Sequence, residues 1–212
     1  MNKPYTGFFL TIEGGEGCGK TTLAKRLASH FSSLGFKVLH TREPGGSQLS
    51  EHIRTLVLSP PFPIGSKSEL LLFLAARAAH LEEKILPALH EGALVICERF
   101  NDSTVAYQGC GRNLGMKEVE ELCALVCQGT QPDRTFFLDL IPEEGLKRVQ
   151  EKRGSSFDRL EQEEIQFHQA VHQAFLRLAD AHPERIIVLD ASCSPDQVFQ
   201  EALRILEQEL AK

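Results

Sequence analysis

Residues 14–22 read Gly14-Gly15-Glu16-Gly17-Cys18-Gly19-Lys20-Thr21-Thr22, and the first eight match the pattern G-x-x-x-x-G-K-S/T in full. In this pattern the glycines let backbone N–H groups turn inward around a phosphate, and the helix that follows adds the positive end of its dipole. Lys20 would reach the β- and γ-phosphates of a nucleoside triphosphate, and the Thr21 hydroxyl would ligate Mg²⁺. We therefore predict that residues 14–22 form a phosphate-binding loop rather than an incidental glycine-rich turn.

Short apolar runs alternate with long helical stretches on both sides of this loop. The predicted strands cover residues 8–12, 37–41, 94–97, 135–140 and 186–189. The predicted helices cover residues 20–34, 48–58, 68–90, 116–127, 143–152, 161–181 and 195–210. Strands this apolar, separated by helices, indicate an α/β fold with a parallel sheet covered on both faces. Ligands bind beyond the carboxyl ends of such strands, so functional residues are expected just after Ile12, Thr41, Cys97 and Leu140.

The composition is that of one ordinary globular domain over residues 1–212. Hydrophobic residues make up 42% and charged residues 25%, which excludes a disordered, collagen-like or disulfide-stapled chain. The net charge of −6 argues against a general nucleic-acid binder, and the longest near-apolar run, 70–79, is too short to span a membrane. Residues 1–7 lack the apolar core of a signal peptide, and the six cysteines form no C-x-x-C pair. We expect a cytoplasmic protein whose cysteines are reduced packing residues.

The third predicted strand ends in Glu98-Arg99, which narrows the class of nucleotide-binding protein. The chain has no N-K-x-D motif, with which Ras-type GTPases read their base. Motor ATPases and helicases usually end a strand in paired acids, whereas an acid followed by an arginine suits a phosphate acceptor. Glu98 can hold Mg²⁺ directly or through water, and Arg99 can grip a second phosphate. An ordinary ion pair at the strand end is the alternative interpretation.

The predicted helix that contains residues 70–79 is apolar on nearly all sides, so we expect it in the interior. A buried guanidinium there needs a partner. Phe73 and Arg77 are four residues apart and share one helix face. The ring could stack on a flat base while the guanidinium bonds to its carbonyl edge. A core phenylalanine beside a structural arginine is an equally good interpretation.

Further motifs follow the loop in an order that is typical of a known family. They are T-R-E-P-G-G at 41–46, F-L-A-A-R at 73–77, E-R-F at 98–100, D-S-T-V-A-Y-Q-G at 102–109, Q-P-D at 131–133 and D-R-L-E at 158–161. With these motifs the chain resembles bacterial thymidylate kinase along nearly its whole length. The resemblance implies a three-layer P-loop nucleoside-monophosphate kinase fold with a five-stranded parallel sheet. It also implies transfer of the γ-phosphate of ATP to dTMP, with Mg²⁺, to form dTDP for dTTP synthesis.

The resemblance assigns roles in binding the base of dTMP. Phe73 is similar to the residue that stacks on thymine, and Arg77 is similar to the residue that bonds to its carbonyl edge. Ser103 and Thr104 stand where the family reads the base. All four residues would therefore belong to the acceptor site.

Other matches concern the sugar and the phosphate of dTMP. Tyr107 stands where the family's ring crowds the sugar 2′ position and so favours deoxyribose, and Gln108 belongs to the same wall. Glu16 matches an acid that bonds to the 3′-hydroxyl, and Arg99 resembles the arginine that holds the dTMP phosphate. Two further residues are similar to those that line the acceptor pocket: Pro44 and Arg54.

Two positions depart from the family's pattern. The family usually has Asp where Glu98 stands, and the extra methylene shifts the metal or water that this acid meets. Gly17 stands where one branch of the family places a catalytic arginine. The chain therefore resembles the branch that supplies this arginine from a mobile lid.

The lid is predicted at about residues 147–159. Its charged residues give it a charge of +3 within a chain of −6: Lys147, Arg148, Lys152, Arg153 and Arg159 against Glu151 and Asp158. Positive charge near the transferred phosphoryl oxygens lowers the barrier to phosphoryl transfer. Arg153 is the first candidate for the catalytic arginine and Arg148 the second, in addition to Lys20 and Arg99. The alternative is a solvated basic helix end, where the helix dipole also favours Lys and Arg.

The sequence thus predicts an ATP:dTMP phosphotransferase without a nucleic-acid or membrane partner, and the resemblance implies a homodimer. A kinase for another deoxynucleotide is the alternative of the same class. A nucleotide-dependent switch or binding protein is the alternative of a different class. Arg77, Arg99 and the basic lid argue against a switch, because a switch needs no second phosphate site.

Overall fold

Five parallel strands form one sheet in the part of the chain that the structure, a computed structural model, describes: residues 5–153 and 158–211. In chain order they are β1 (Phe8–Glu13), β2 (Val38–Arg42), β3 (Leu94–Glu98), β4 (Arg134–Asp139) and β5 (Ile186–Asp190). Their order across the sheet is β2-β3-β1-β4-β5. Every predicted strand is confirmed to within one residue at each end. Glu98 lies opposite both Ile12 and Arg42, so the carboxyl ends of β1, β2 and β3 meet at one edge.

Helices cover both faces of this sheet. They are α1 (Lys20–Ser33), α2 (Gln48–Leu58), α3 (Ser66–His80), α4 (Leu86–His90), α5 (Asn101–Thr104), α6 (Met116–Cys127), α7 (Pro142–Arg153), α8 (Ile165–Ala181) and α9 (Pro195–Leu210). Two π-helical segments, Leu81–Ile85 and Val105–Gly111, continue α3 and α5. The first of them interrupts the helix predicted over 68–90 just before Pro87, whose ring removes an N–H and crowds the preceding turn. The helical segment 101–111 is not predicted, since Gly109 and Gly111 lower its helix propensity.

The start of α8 also differs from the prediction. Helix α8 begins at Ile165 rather than at 161. Ahead of it, the Asp158 side chain accepts hydrogen bonds from the backbone N–H groups of Leu160 and Glu161 at 2.9 and 3.0 Å. An aspartate that bonds to the backbone two and three residues further on stabilises a turn instead of a helix.

Alternate residues of the strands pack on opposite faces, which gives the three layers that the sequence predicts. Leu10 and Ile12 of β1 pack into the core formed with α1 and α9, whereas Phe9 packs with residues of α4. In β4, Phe137 stacks on Phe175 of α8 with ring centroids 5.2 Å apart. Burial of each such side chain contributes about 1.5–3 kcal/mol to folding.

Helix α3 is less buried than its composition predicts. Leu70, Leu74 and Ala76 are buried, but Leu71 is 62% exposed. The expectation that this helix lies in the interior is therefore wrong in part, because α3 packs on α2 and α6 but leaves a stripe with Leu71 and Ala75 exposed. Leu125 of α6, which contacts α3, is also exposed, at 73%.

The predicted lid is described only in part. Helix α7 contains its first residues, and residues 154–157 lie outside the described part of the chain. A single domain with a lid at about 147–159 therefore stays a prediction.

None of the described helices has the length and hydropathy needed to cross a membrane.

Candidate active site

The phosphate-binding loop joins the end of β1 to the start of α1. Gly14, Gly17 and Gly19 have φ angles of 139°, 67° and 100°, in the left-handed region that favours glycine. Lys20 folds back over the loop, where its Nζ donates to the carbonyl oxygen of Gly15 at 2.5 Å and to that of Gly14 at 3.1 Å. The loop, the ammonium group and the N-terminus of α1 are together suited to bind an anion.

Gly17 packs directly on the backbone of α7. A Cβ atom at Gly17 would overlap the carbonyl oxygen of Gly145, and a Cβ atom at Gly145 would overlap the carbonyl oxygen of Glu16. No larger side chain fits at position 17 unless α7 moves, which is a physical reason for a glycine there. The same contact holds α7, and with it Arg148, beside the loop.

A hydroxyl group and a carboxylate meet next to the loop. Thr21 Oγ1 donates to Glu98 Oε2 at 2.5 Å, and His40 Nε2 lies 2.8 Å from Glu98 Oε1. Burial raises the pKa of Glu98, but the hydrogen bonds from His40 and Thr21 outweigh burial and hold this pKa below its ordinary value. Glu98 is thus a carboxylate, and Thr21 and Glu98 supply oxygen atoms of the kind that Mg²⁺ binds together with substrate phosphates.

Arg99 follows β3 and lies between the phosphate-binding loop and Tyr107. Its Nη2 donates to Glu16 Oε1 at 2.6 Å, and the Tyr107 hydroxyl donates to the same oxygen at 2.8 Å. The Arg99 guanidinium lies 4.9 Å from the centroid of the Tyr107 ring, which is a cation–π contact. Burial raises the pKa of Glu16, but the charges of Arg99 and Lys20 outweigh burial and lower it to about 2. Three predicted site residues are therefore brought together around one ionised carboxylate.

Arg77 is only 2% exposed and lies on the wall of the same cavity. Its Nε donates to Glu43 Oε2 at 2.7 Å, its Nη2 donates to Thr104 Oγ1 at 2.8 Å, and its guanidinium lies 4.9 Å from the Phe100 ring centroid. Burial opposes the charge, but Glu43 outweighs burial and raises the pKa of Arg77. Because a guanidinium has five N–H groups, Arg77 can pair with Glu43 and still donate to a ligand. Arg77 can therefore be a structural residue and a ligand-binding residue at the same time.

Glu13, the last residue of β1, holds the segment that follows β3. Its Oε1 accepts from the backbone N–H of Phe100 at 2.7 Å, and its Oε2 accepts from the Ser103 hydroxyl at 2.5 Å. Burial and the charge of Asp102 raise the pKa of Glu13 to about 7. These bonds fix Ser103 on the cavity wall, where Arg99 Nη1 donates to it at 3.2 Å. The sequence analysis does not select Glu13, although its place at the carboxyl end of the first strand is a signal.

Glu43 and Glu69 are two further buried carboxylates that the sequence analysis does not select. Glu43 accepts from Arg77 and lies 3.1 Å from His80 Nδ1. Glu69 accepts from Gln108 Nε2 at 2.8 Å. These partners lie 34 to 39 residues away in the sequence, so the motif at 41–46 does not reveal the partners of Glu43, and no motif contains Glu69.

The other end of the cavity lies between α7 and the segment after β5. Arg148 Nη1 donates to the carbonyl oxygen of Ala191 at 3.0 Å, which places the guanidinium at this end. Residues 192–195 form the facing wall. This wall is not predicted from the sequence, because functional residues are expected only after the first four strands. The side chain of Arg153 lies outside the described residues.

Many of the side chains described above line a cavity of about 700 Å³. Most predicted site residues line it: Glu16, Gly17, Gly19, Lys20, Thr21, Thr22, Pro44, Arg54, Phe73, Arg77, Glu98, Arg99, Ser103, Thr104, Tyr107, Gln108 and Arg148. Gly14, Gly15 and Cys18 build the loop without lining this cavity. Arg54 Nη1 donates to the Pro44 carbonyl oxygen at 2.9 Å. The groups that are predicted to bind a triphosphate and a second set of basic and aromatic groups therefore share one cavity.

Comparisons with known proteins agree with this geometry. The sequence model named Thymidylate kinase matches residues 12–202. A thymidylate kinase of Protochlamydia amoebophila (strain UWE25) is 50% identical over 212 residues, which cover 97% of this chain and 94% of that protein. A thymidylate kinase of Shouchella clausii (strain KSM-K16) is 42% identical over 205 residues, or 96% of each chain. A crystal structure of thymidylate kinase from Ehrlichia chaffeensis matches with a TM-score of 0.77 at 32% identity, over 95% of this chain and 98% of that chain. The chain therefore belongs to the thymidylate kinase family.

Proposed function

We propose that this kinase transfers the γ-phosphate of ATP to dTMP in the cavity described above, with ADP and dTDP as products. The observation that carries the proposal is that residues of the loop 14–22 and a second set of basic and aromatic side chains line the same cavity. One set is the phosphate-binding loop, and the other is the group of basic and aromatic side chains beyond Arg99. The dTDP formed would serve the synthesis of dTTP.

The donor nucleotide is proposed to lie on the loop side. Backbone N–H groups of residues 14–22 would surround the phosphates of ATP, and Lys20 would leave its carbonyl partners to contact the β- and γ-phosphates. The rest of ATP would extend toward residues 192–195, which close that end of the cavity.

The acceptor nucleotide is proposed to lie on the other side of Arg99. Phe73 would stack on thymine, and the spare N–H groups of Arg77 would bond to its carbonyl edge, beside Ser103 and Thr104. Arg99 would hold the dTMP phosphate as a fork of two donors. Pro44 and Arg54 would complete the wall.

Glu16 and Tyr107 are proposed to read the sugar. Both described donors to Glu16 bond to its Oε1, so its Oε2 is available to accept from a 3′-hydroxyl. The Tyr107 ring packs edge-on against Phe167 and Phe175, with centroids 6.0 and 6.4 Å away. A ring held this firmly would exclude a 2′-hydroxyl by contact.

In the proposed reaction a phosphate oxygen of dTMP attacks the γ-phosphorus, and the bond from that phosphorus to the β–γ bridging oxygen breaks. Negative charge spreads over the transferred oxygens, and fixed positive charge around them lowers the barrier. Lys20 and Arg99 would supply that charge from the loop side. Arg148, which lines the cavity, and Arg153, five residues further along α7, are the candidates from the lid side.

Magnesium is the proposed metal, because Thr21 and Glu98 offer an alcohol and an ionised carboxylate beside the phosphate loop. Thr21 and Glu98 would hold Mg²⁺ beside the phosphates, where it would neutralise phosphate charge during transfer. His40 holds Glu98 by its second oxygen and so fixes the carboxylate.

An acceptor screen tests the proposal. ADP formation measured with a panel of ribo- and deoxynucleoside monophosphates should be fastest with dTMP and negligible without an acceptor. Lys20→Met should abolish transfer, whereas Lys37→Met, the same change at a surface lysine, should preserve it. A preference for another monophosphate would indicate a kinase of different specificity, and ADP formation that ignores the acceptor would contradict the proposal.

We also propose that the protein is a homodimer. Leu71 of α3 and Leu122 and Leu125 of α6 are 62%, 36% and 73% exposed on adjacent helices, and a second copy would cover them. Analytical ultracentrifugation should give the mass of a dimer, and Leu125→Glu should give a monomer. Leu34→Glu, at a leucine after α1 that is 58% exposed, should leave the dimer intact. A monomeric wild type would contradict this assembly.

We further propose that the protein works in the cytoplasm, where ATP and dTMP are available. All six cysteines are free thiols, which suits a reducing compartment. Fractionation of the cells that produce the protein should place it with cytoplasmic markers, and recovery with envelope fractions would contradict this location.

A further inference from the structure

Glu69 of α3 is a buried carboxylate that does not line the cavity but holds a residue that does. It is 0% exposed. Its Oε1 accepts from Gln108 Nε2 at 2.8 Å and from Arg112 Nε at 3.3 Å, and its Oε2 accepts from Arg159 Nη2. Burial raises the pKa of Glu69, but the hydrogen bonds from Gln108 and Arg159 outweigh burial and hold this pKa below its ordinary value. Glu69 is therefore ionised and can only accept hydrogen bonds.

The charge of Glu69 decides which way the Gln108 amide points. An ionised carboxylate repels a carbonyl oxygen, so the amide nitrogen of Gln108 must face Glu69 and its Oε1 must face away. Gln108 is 2% exposed and lines the cavity. Among the described residues, no donor bonds to Oε1 of Gln108. This oxygen is also not one of the buried polar atoms that lack a partner, so it is accessible rather than enclosed. The oxygen therefore opens on the cavity as a hydrogen-bond acceptor.

Arg77 offers the complementary donor in the same part of the cavity. Its Nη2 bonds to Thr104, which lies four residues before Gln108 in the helical segment 101–111 and hence about one turn away. A spare donor on Arg77 and the acceptor on Gln108, both on the wall of this cavity, would complement a base edge that carries a carbonyl beside an N–H, as thymine and uracil do. Cytosine carries an amino group beside a ring-nitrogen lone pair. Its amino group would face the Arg77 donor and its lone pair would face the Gln108 acceptor, so neither hydrogen bond would form.

We infer that Glu69 is a positioning residue for base selectivity: it turns the Gln108 amide so that the cavity presents a carbonyl oxygen to the acceptor base. The inference rests on the proposed function, because it needs a pyrimidine monophosphate in this part of the cavity. Glu69 touches neither nucleotide and acts through Gln108. If Glu69 only neutralised the charges of Arg112 and Arg159, its replacement would leave the base selectivity of the folded enzyme unchanged.

Glu69→Gln tests the inference with little change of shape. The new amide can donate to the carbonyl oxygen of Gln108, so the Gln108 amide is free to turn over. We expect the KM for dTMP to rise about tenfold or more, and the ratio of kcat/KM for dTMP over dCMP to fall by about tenfold or more. The kcat at saturating dTMP and the KM for ATP should change by less than about twofold, because Glu69 contacts no reacting group.

Two further variants separate orientation of Gln108 from a general loss of charge. Glu163→Gln makes the same chemical change in a carboxylate that pairs with Arg112 but has no recorded contact with Gln108, and it should leave the ratio unchanged. Exchange of the two groups, Glu69→Gln with Gln108→Glu, keeps one amide and one carboxylate. A carboxylate at 108 can only accept, so the preference for dTMP over dCMP should return.

The outcomes are distinguishable. A wild type that does not phosphorylate dTMP contradicts the proposed function itself. A wild type that does so, with an unchanged dTMP-to-dCMP ratio in folded Glu69→Gln, overturns only the role of Glu69, as does an equal fall of the ratio in Glu163→Gln. If Glu69→Gln does not fold, the exchanged pair decides, since a folded exchange variant without preference for dTMP also overturns the inference.

Discussion

Replacement of Arg77 tests the base-binding end of the cavity, because its guanidinium both pairs with buried Glu43 and lines the cavity. Arg77→Ala removes both functions at once and leaves Glu43 with His80 as its remaining side-chain partner among the described residues. Removal of one partner of a buried pair costs about 3–5 kcal/mol. In a domain of this size each kcal/mol lowers Tm by about 2–4 °C, so the alanine variant should melt roughly 6–20 °C below the wild type.

Arg77→Lys separates the two functions. Lysine keeps a positive charge beside Glu43 but loses the planar fork of donors. A hydrogen bond from a charged donor contributes about 1.5–3 kcal/mol. Its loss should raise the KM for dTMP by roughly 10- to 150-fold. The KM for ATP should stay near the wild-type value, because the donor phosphates are proposed to lie on the loop around Lys20.

The assay combines a coupled measurement of ADP formation with thermal unfolding followed by circular dichroism. Arg134→Lys, the same change in an arginine that pairs with Glu209, is the matched control and should alter neither KM. A lysine variant of Arg77 with wild-type KM for dTMP, together with a strongly destabilised alanine variant, would show that Arg77 is structural only. That result would refute the base-reading role.

The remaining predictions concern the metal, the sugar, the lid and acid stability. Glu98→Gln should lower kcat and raise the Mg²⁺ concentration needed for half activity, whereas Glu98→Asp should keep most activity; a Mg²⁺ titration checks both. Substitution of Tyr107 by Ala should reduce the preference for the deoxyribonucleotide in kcat/KM, and an unchanged preference would assign the 2′ position to another residue. Arg153→Ala should lower the single-turnover transfer rate by at least about tenfold, or ~1.4 kcal/mol of barrier, and wild-type rates in both Arg153→Ala and Arg148→Ala would exclude the lid mechanism. The pKa of Glu16 is lowered from 4.5 to about 2, so its contribution to stability is present above about pH 4.5 and is lost as the pH falls through about 2. Urea unfolding of Glu16→Gln should therefore weaken less between about pH 5 and pH 2 than that of the wild type, and equal slopes would contradict the ion pair with Arg99.

The parts of the fold that sequence reasoning predicts well are those that local patterns determine. The five strands are apolar runs bounded by turn residues, and each is confirmed to within one residue at each end. The loop 14–22 has glycines where the backbone needs positive φ, and its place between β1 and α1 follows from the same pattern. The segment 101–111 is missed because its helical form depends on packing against α6 and α8, which its glycines do not indicate.

The candidate site is harder to predict because long-range partners decide its chemistry. Phe73 and Arg77 are found from their spacing, but the spacing does not reveal that Glu43 pairs with the guanidinium. In the sequence, Glu69 does not differ from other acids in the first turn of a helix. Only the structure shows that Gln108, 39 residues later, donates to it. The roles of such residues depend on burial against distant parts of the chain. No single segment of the sequence encodes that burial.

Transfer of label from ATP radiolabelled in its γ-phosphate measures the proposed reaction most directly. With saturating ATP, Mg²⁺ and dTMP, the label should appear in dTDP in equal amount to the ADP formed, and omission of dTMP should leave it in ATP. Label that appears in inorganic phosphate whether or not dTMP is present, or that passes preferentially to another nucleoside monophosphate, would contradict phosphoryl transfer from ATP to dTMP in this cavity.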